Sequence, residues 1–143
     1  MEIRTITTEA DIMICKDIIL AFRNNLKEEN LIEEVIYLIK NESFKIKYLY
    51  DDKNHKAAAF IGYRNMRMLR TGPTIYIDDL YTDPDYRSQG CGATLLGEVK
   101  QEAIETGMKS VHLDSGFALH PAHRLYLNSG YVLACHHFAQ LIS

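Results

Sequence analysis

The stretch Thr74-Ile75-Tyr76-Ile77-Asp78-Asp79-Leu80-Tyr81-Thr82-Asp83-Pro84-Asp85-Tyr86-Arg87-Ser88-Gln89-Gly90-Cys91-Gly92-Ala93 decides the fold. Its first part, Thr74 to Thr82, is strand material rich in β-branched and aromatic residues. Asp83-Pro84-Asp85 is a turn signal. From Gly90 to Thr106 the period becomes helical, with Leu95, Leu96, Val99 and Ile104 apolar and Gly107 as the stop. A short strand follows at Ser110 to Leu113. A strand, a helix and a strand in that order imply a parallel pair inside the sheet, because the helix carries the chain back to the starting edge.

Upstream, Glu2 to Thr8 is β-rich, and the Thr8 hydroxyl can cap a helix over Glu9 to Asn24. Ile12, Ile19 and Phe22 mark one face of that helix, and Cys15 can join them. Asn24-Asn25 is a break, and a second helix is expected over Lys27 to Lys40. Phe44 to Tyr50 alternates with period two. The polar cluster Asp51 to His55 turns the chain into a strand over Lys56 to Met68. With Thr74 to Thr82 these strands form an antiparallel meander. Downstream, Pro121 to Asn128 reads as a short helix and Tyr131 to Ile142 as closing strand material with a break near Cys135. The expected fold is α/β: a mixed, mostly antiparallel sheet with one parallel pair.

The length of 143 residues fits one domain spanning 1–143. A formal net charge of -3 and no basic stripe argue against a nucleic-acid partner, and the mild acidity suits a cationic substrate. Three widely spaced cysteines, Cys15, Cys91 and Cys135, fit reduced thiols and a cytoplasmic protein better than a disulfide or zinc framework. No signal-peptide pattern and no apolar run of bilayer length is present, so no membrane role is expected.

The segment Arg87-Ser88-Gln89-Gly90-Cys91-Gly92-Ala93 lies between strand and helix, where several N–H groups lack intrahelical partners. The helix dipole adds partial positive charge, small residues allow close approach, and Arg87 can add a charge-assisted contact. Such a place suits a pyrophosphate. The pattern G-x-x-x-x-G-K-[ST] fails for want of a lysine, and G-x-G-x-x-G fails at Leu95.

Ile77 through Ala93 resembles the core of the GNAT N-acetyltransferase superfamily: a strand, an Asp-Pro turn, then [QR]-x-x-G-x-[GA] opening a helix. Ala122-His123-Arg124-Leu125-Tyr126-Leu127-Asn128-Ser129-Gly130-Tyr131 continues the resemblance, with an alanine, a tyrosine four residues on and a glycine-aromatic pair. The two blocks cover roughly the C-terminal half. The resemblance implies acetyl-CoA as cosubstrate, helices on both faces of the sheet, and a strand that splays at the coenzyme site. It implies that backbone groups of Leu80, Tyr81 and Thr82 meet the pantetheine arm, that amides from Gln89 to Ala93 hold the pyrophosphate, and that Tyr126 lies by the thioester sulfur. Leu119 stands where many members have an asparagine seven residues before that tyrosine. The resemblance also suggests a homodimer.

Acetyl transfer to an amine needs a group that accepts the amine's proton and a proton for the leaving thiolate. Asp78 and Asp79 are strand neighbours, so simple alternation sends them to opposite faces. Asp78 is the favoured base facing the cleft, with Asp79 a substrate contact or structural residue. The plainer reading of either is an ion-paired strand residue. Tyr126 is the candidate acid, against the plainer reading of a packed tyrosine. Cys91 sits where a helix start can lower a thiol pKa, but packing is the better reading. His120, His123, His136 and His137 lack a carboxylate or cysteine spacing that would make a metal site, and none is expected. The segment His120 to Tyr126 looks like aminoalkylphosphonate acetyltransferases, and the acidic pair like polyamine acetyltransferases. Together these keep small amines foremost as acceptors, with a protein or peptide acceptor or a non-catalytic binding module as alternatives.

Overall fold

The computed structural model describes residues 1–142. The backbone divides into two compact units, Met1–Leu113 and Asp114–Ser143.

The first unit begins with β1 (Glu2–Thr5) and then α1 (Glu9–Phe22), whose start is fixed locally. The Asp11 amide donates to the Thr8 hydroxyl at 3.2 Å, and the Thr8 amide donates to the Asp11 carboxylate at 3.0 Å. This reciprocal cap satisfies two helix-end donors at once, and losing such a cap typically costs about 1 kcal/mol. The Tyr48 hydroxyl also donates to Asp11, at 2.8 Å, which ties the helix start to the sheet. The second helix begins later than the sequence suggests. A 3-10 turn at Glu28–Asn30 precedes α2 (Leu31–Asn41), because Lys27 is still extended at its cap position.

The strands β2 (Phe44–Asp51), β3 (Lys56–Met68), β4 (Gly72–Thr82) and β5 (Ser110–Leu113) lie in sequence order beside β1. The first three pairings are antiparallel and β4–β5 is parallel, as the strand-helix-strand passage requires. One face of the sheet, including Phe44, Ile46, Tyr48 and Phe60, packs against Ile12, Cys15, Ile19, Leu31 and Val35 of α1 and α2. The other face meets α3 (Cys91–Glu105). There Tyr63 donates to Glu102 at 2.9 Å and Lys47 pairs with Glu98 at 2.8 Å. In α3 the inner stripe is Leu95, Leu96, Val99 and Ala103, whereas Ile104, expected on it, is exposed.

The second unit holds α4 (His120–Asn128). It ends with Gly130 in the left-handed region at φ 93 and the Tyr131 amide on the Tyr126 carbonyl at 3.0 Å, a glycine-terminated helix end. The strand expected over Tyr131 to Ile142 is absent: these residues form neither helix nor strand. Val132, Leu133, Phe138, Leu141 and Ile142 are exposed. Apolar, β-prone composition marks a segment that can join a ladder, but a strand exists only where a partner supplies the hydrogen bonds.

Candidate functional site

The site is built first by what β4 lacks. Its parallel pairing with β5 covers Thr74 to Ile77 and then stops, while its antiparallel pairing with β3 runs on to Thr82. From Asp78 to Thr82 the strand therefore has β3 on one side only. The Asp83 amide donates to Ala58 of β3 at 2.9 Å. Counting back by antiparallel alternation, Tyr81 also turns its backbone groups toward β3, and Leu80 and Thr82 turn theirs to the open edge. The Thr82 carbonyl accepts from Arg87 Nε at 3.3 Å, consistent with that direction.

The turn that follows is braced at both ends. The Asp83 carboxylate accepts from the Asp85 amide at 2.8 Å and opens a 3-10 turn at Pro84–Tyr86. The buried Tyr86 hydroxyl donates to Asp51, which also accepts from Asn54 Nδ2 at 2.7 Å. The Tyr86 hydrogen bond and then that of Asn54 hold the Asp51 carboxyl down at about 2. Ser88 and Gly90 sit in the left-handed region at φ 63 and φ 80. The first helical bond of α3 runs from the Thr94 amide to Gly90 at 3.0 Å, and no side chain caps the helix. The amides of Cys91, Gly92 and Ala93 thus have no intrahelical acceptor. Cys91 is buried, and burial raises its thiol pKa, so the residue packs and is not an activated thiolate. Arg87 and Gln89 are exposed beside this helix start.

The acidic pair differs from simple alternation. Tyr63 faces Ile77 and Gly62 faces Asp79, which leaves Asp78 as an extra residue in the ladder. The bulge breaks the simple alternation expected of Asp78 and Asp79, because one inserted residue hands its position to the next. Asp79 lines a pocket with Arg23, Asn25, Leu26, Glu34, Leu38 and the sheet residues Phe44, Ile46 and Phe60. Asp78 is held by Arg64, with Nε at 3.0 Å and Nη2 at 2.6 Å from its two oxygens. Asp79 accepts from Arg23 Nε at 2.6 Å. Burial raises the Asp79 pKa, and the hydrogen bond and charge of Arg23 oppose that rise. Arg23, Arg64 and Gly62 were not legible as site residues. Arg23 reads as a polar helix end and Gly62 as one residue in an apolar strand.

Tyr126 belongs to the second unit, on α4. Burial raises its pKa, and its ring lies 6.0 Å from that of Tyr131. Within that unit His123 Nε2 lies 2.8 Å from the Gly116 carbonyl and His137 Nδ1 lies 3.0 Å from Asp114. Leu119 precedes α4 and supplies no side-chain cap. Among the described residues no group of three His, Cys, Asp or Glu stands together to hold a metal ion, and no helix is long and apolar enough to cross a membrane.

Residues 13–131 match the acetyltransferase (GNAT) family. An uncharacterized N-acetyltransferase of Bacillus subtilis, YhdJ, is 30% identical over 104 residues, covering 73% of this chain and 72% of its own. Thialysine N-epsilon-acetyltransferase of Sus scrofa is 37% identical over 43 residues, covering 30% of this chain and 25% of its own. Among solved structures, AAC(6')-Iy in complex with the bisubstrate analog CoA-S-monomethyl-acetylneamine superposes with a TM-score of 0.85 at 10% identity, covering 99% of this chain and 97% of that one. The ribosomal-protein-alanine N-acetyltransferase of Brucella melitensis superposes with a TM-score of 0.82 at 13% identity, covering 99% and 100%.

Proposed function

The chain belongs to the acetyltransferase (GNAT) family, and on that premise we propose that it moves the acetyl group of acetyl-CoA directly to a primary amine of a small molecule. Residues 1–143 act as one acetyltransferase domain in this reading. The observation that carries it is the uncapped start of α3, with Gly90 left-handed at φ 80 and the amides of Cys91, Gly92 and Ala93 free of helical acceptors, next to the one-sided edge of β4. Converging amides at a helix N-terminus suit a pyrophosphate. Gln89, Ser88 and Arg87 flank that cradle. The edge-facing backbone groups of Leu80 and the amide of Thr82 suit an extended amide-bearing arm, which adds to the edge as a strand would. Tyr81, between them, packs its ring on Phe22 at 5.3 Å and keeps the edge in place.

Bound acetyl-CoA supplies an activated acetyl group as a thioester. The protein's share is to orient the amine, remove its proton and return one to sulfur. The Asp79 carboxylate, on the pocket wall and biased toward protonation by burial, takes the proton from the acceptor's ammonium directly or through water. The freed amine nitrogen forms the new bond to the acetyl carbon as the carbon–sulfur bond breaks. The Tyr126 hydroxyl gives its proton to the departing thiolate, and the second proton shed by the acylated nitrogen returns through water to the tyrosine oxygen. Asp78, occupied by Arg64, fixes the strand at the bulge. The largely apolar pocket walls with the partly buried Asp79 carboxylate favour a compact amine with an apolar body.

The test is thiol release from acetyl-CoA against amines, polyamines, aminophosphonates and peptides. Turnover with small amines supports the reading. Turnover restricted to peptides assigns a protein acceptor, and acetyl-CoA binding without any turnover leaves a binding module.

A further inference from the structure

Asp79 sits where its charge is unwelcome. Its side chain is 15% exposed, and burial pushes its pKa up. Alone in that place it would stay protonated to higher pH, and a protonated carboxyl cannot accept an amine's proton.

The charged groups that face it are few. Asp78 and Arg64 satisfy each other through two hydrogen bonds. Glu34 of α2 lines the same pocket but is exposed. Strand β2 contributes only Phe44 and Ile46. Arg23 is the remaining cation, and it is anchored on several sides. Its amide caps the end of α1 on the Ile19 carbonyl at 2.8 Å, which fixes its backbone. Its guanidinium stacks over the Phe22 ring at 4.2 Å. Nε donates to Asp79 Oδ1 at 2.6 Å while Nη2 donates to the Asp78 carbonyl at 2.8 Å. The same group therefore grips both the base candidate and the backbone of the bulge. An arginine cannot surrender its proton, so this counter-charge is permanent.

We propose that Arg23 is the positioning residue of the acid–base site: it keeps Asp79 ionised in a desolvated place and pins one carboxylate oxygen, leaving the other for the acceptor. This rests on the reading of Asp79 as the base.

The direct measurement is an NMR titration of the protein labelled with 13C at aspartate carboxyls, with the Asp79 signal assigned from its loss in Asp79→Asn. Removing an adjacent opposite charge shifts a carboxyl by about 1–3 pH units. Arg23 is partly exposed, so a rise at the lower end, about one unit, is expected in Arg23→Gln. Arg23→Lys keeps the charge but cannot span to the Asp78 carbonyl, and its midpoint is expected to lie close to the wild-type value. Should the Gln variant not fold, Arg23→Met keeps a long unbranched side chain at the end of α1 and removes the charge, with the same rise expected. An unmoved Asp79 midpoint in a folded neutral variant overturns the proposal. Activity separates the two ideas. Wild-type turnover by Asp79→Asn overturns Asp79 as base, whatever Arg23 does to its titration. An unmoved midpoint beside an inactive Asp79→Asn overturns only the role of Arg23.

Discussion

Gly62 stands directly across the β3–β4 ladder from Asp79, and a Cβ on Gly62 would lie 2.9 Å from Asp79 Oδ2 and 2.5 Å from Phe44 Cζ. The missing side chain is the space in which the carboxylate and the aromatic edge meet. Neither neighbour can yield cheaply. Phe44 is buried in the core under α1 and α2, and Asp79 is tied to Arg23. Gly62→Ala is therefore expected to lower stability by about 1–3 kcal/mol, the usual range for overpacking. Urea unfolding should show a lower midpoint with an unchanged slope. Because Asp79 must shift, kcat/KM should fall as well. An alanine variant of native stability and rate would mean the site relaxes around a methyl group.

The bulge at Asp78 explains why the acidic pair could be found in the sequence but not oriented. Two adjacent aspartates on a strand carry no mark of an insertion, and the register is set by β3, where Gly62 admits the second carboxylate. Local rules read well where the interaction was local: Thr8 caps α1 through Asp11, three residues on, and Gly107 follows α3 at φ 73. The parallel β4–β5 pair followed from connection geometry. The contact that orders the pocket, Arg23 to Asp79, and the one that braces the turn, Tyr86 to Asp51, both span long stretches of chain, and no short pattern announces them. The stretch after Gly130 has strand composition without a ladder, so composition alone overstated it.

Asp79 also carries a stability signature. Its folded pKa is raised, so ionising it costs the fold as pH climbs through the ordinary carboxylate range toward that higher value, and the cost persists at neutral pH. Asp79→Asn keeps the shape and removes the cost. The variant is expected to melt at or above the wild-type temperature at pH 7 while losing activity. The advantage should fade as the pH drops below the usual carboxylate pKa. A variant that is both inactive and clearly less stable at neutral pH would make the carboxylate chiefly a structural partner of Arg23.

The Asp51 carboxylate behaves in the opposite sense. Its pKa is held from 3.8 down to about 2, by Tyr86 first and then Asn54. The stability it lends is present above the ordinary value and lost as pH falls toward about 2. Asp51→Asn should lower the melting temperature at neutral pH, with the gap to wild type narrowing in acid. Tyr86→Phe breaks the same link and frees the turn before the glycine loop. Acetyl-CoA affinity measured by calorimetry should weaken by about tenfold, the equivalent of roughly 1.4 kcal/mol. Full affinity in a folded Tyr86→Phe protein would show that the turn holds its shape without the brace.

At the helix start, Gly90 has φ 80 and Gly92 lies within the first turn of α3. Valine is strained in the left-handed region, and its branches at either position crowd an approaching phosphate. Both Gly90→Val and Gly92→Val are expected to lose acetyl-CoA binding. Gly92→Val is the cleaner test, since it has no left-handed backbone to strain. Unchanged affinity in that variant, with a native circular dichroism spectrum, would remove the amide cradle as the pyrophosphate site.

Tyr126 is the last link in the proposed proton path. Burial raises its pKa, so the phenol remains protonated, and able to donate, further into the alkaline range than a free tyrosine. Tyr126→Phe removes one hydroxyl and little volume, and α4 should keep its glycine-terminated end because those bonds are all backbone. Loss of a positioned general acid typically costs about 10²–10⁴-fold in rate. The expected result is a fall of that size in kcat on a confirmed acceptor, with acetyl-CoA affinity nearly intact. Solvent isotope sensitivity and the alkaline limb of the pH–rate profile should change with it, since both report the donor that has gone. A deeper loss for acceptors whose reaction is limited by thiolate departure than for those limited by amine deprotonation would assign the step. Wild-type rates in Tyr126→Phe would leave the tyrosine as a packing partner of Tyr131 and give the sulfur its proton from water.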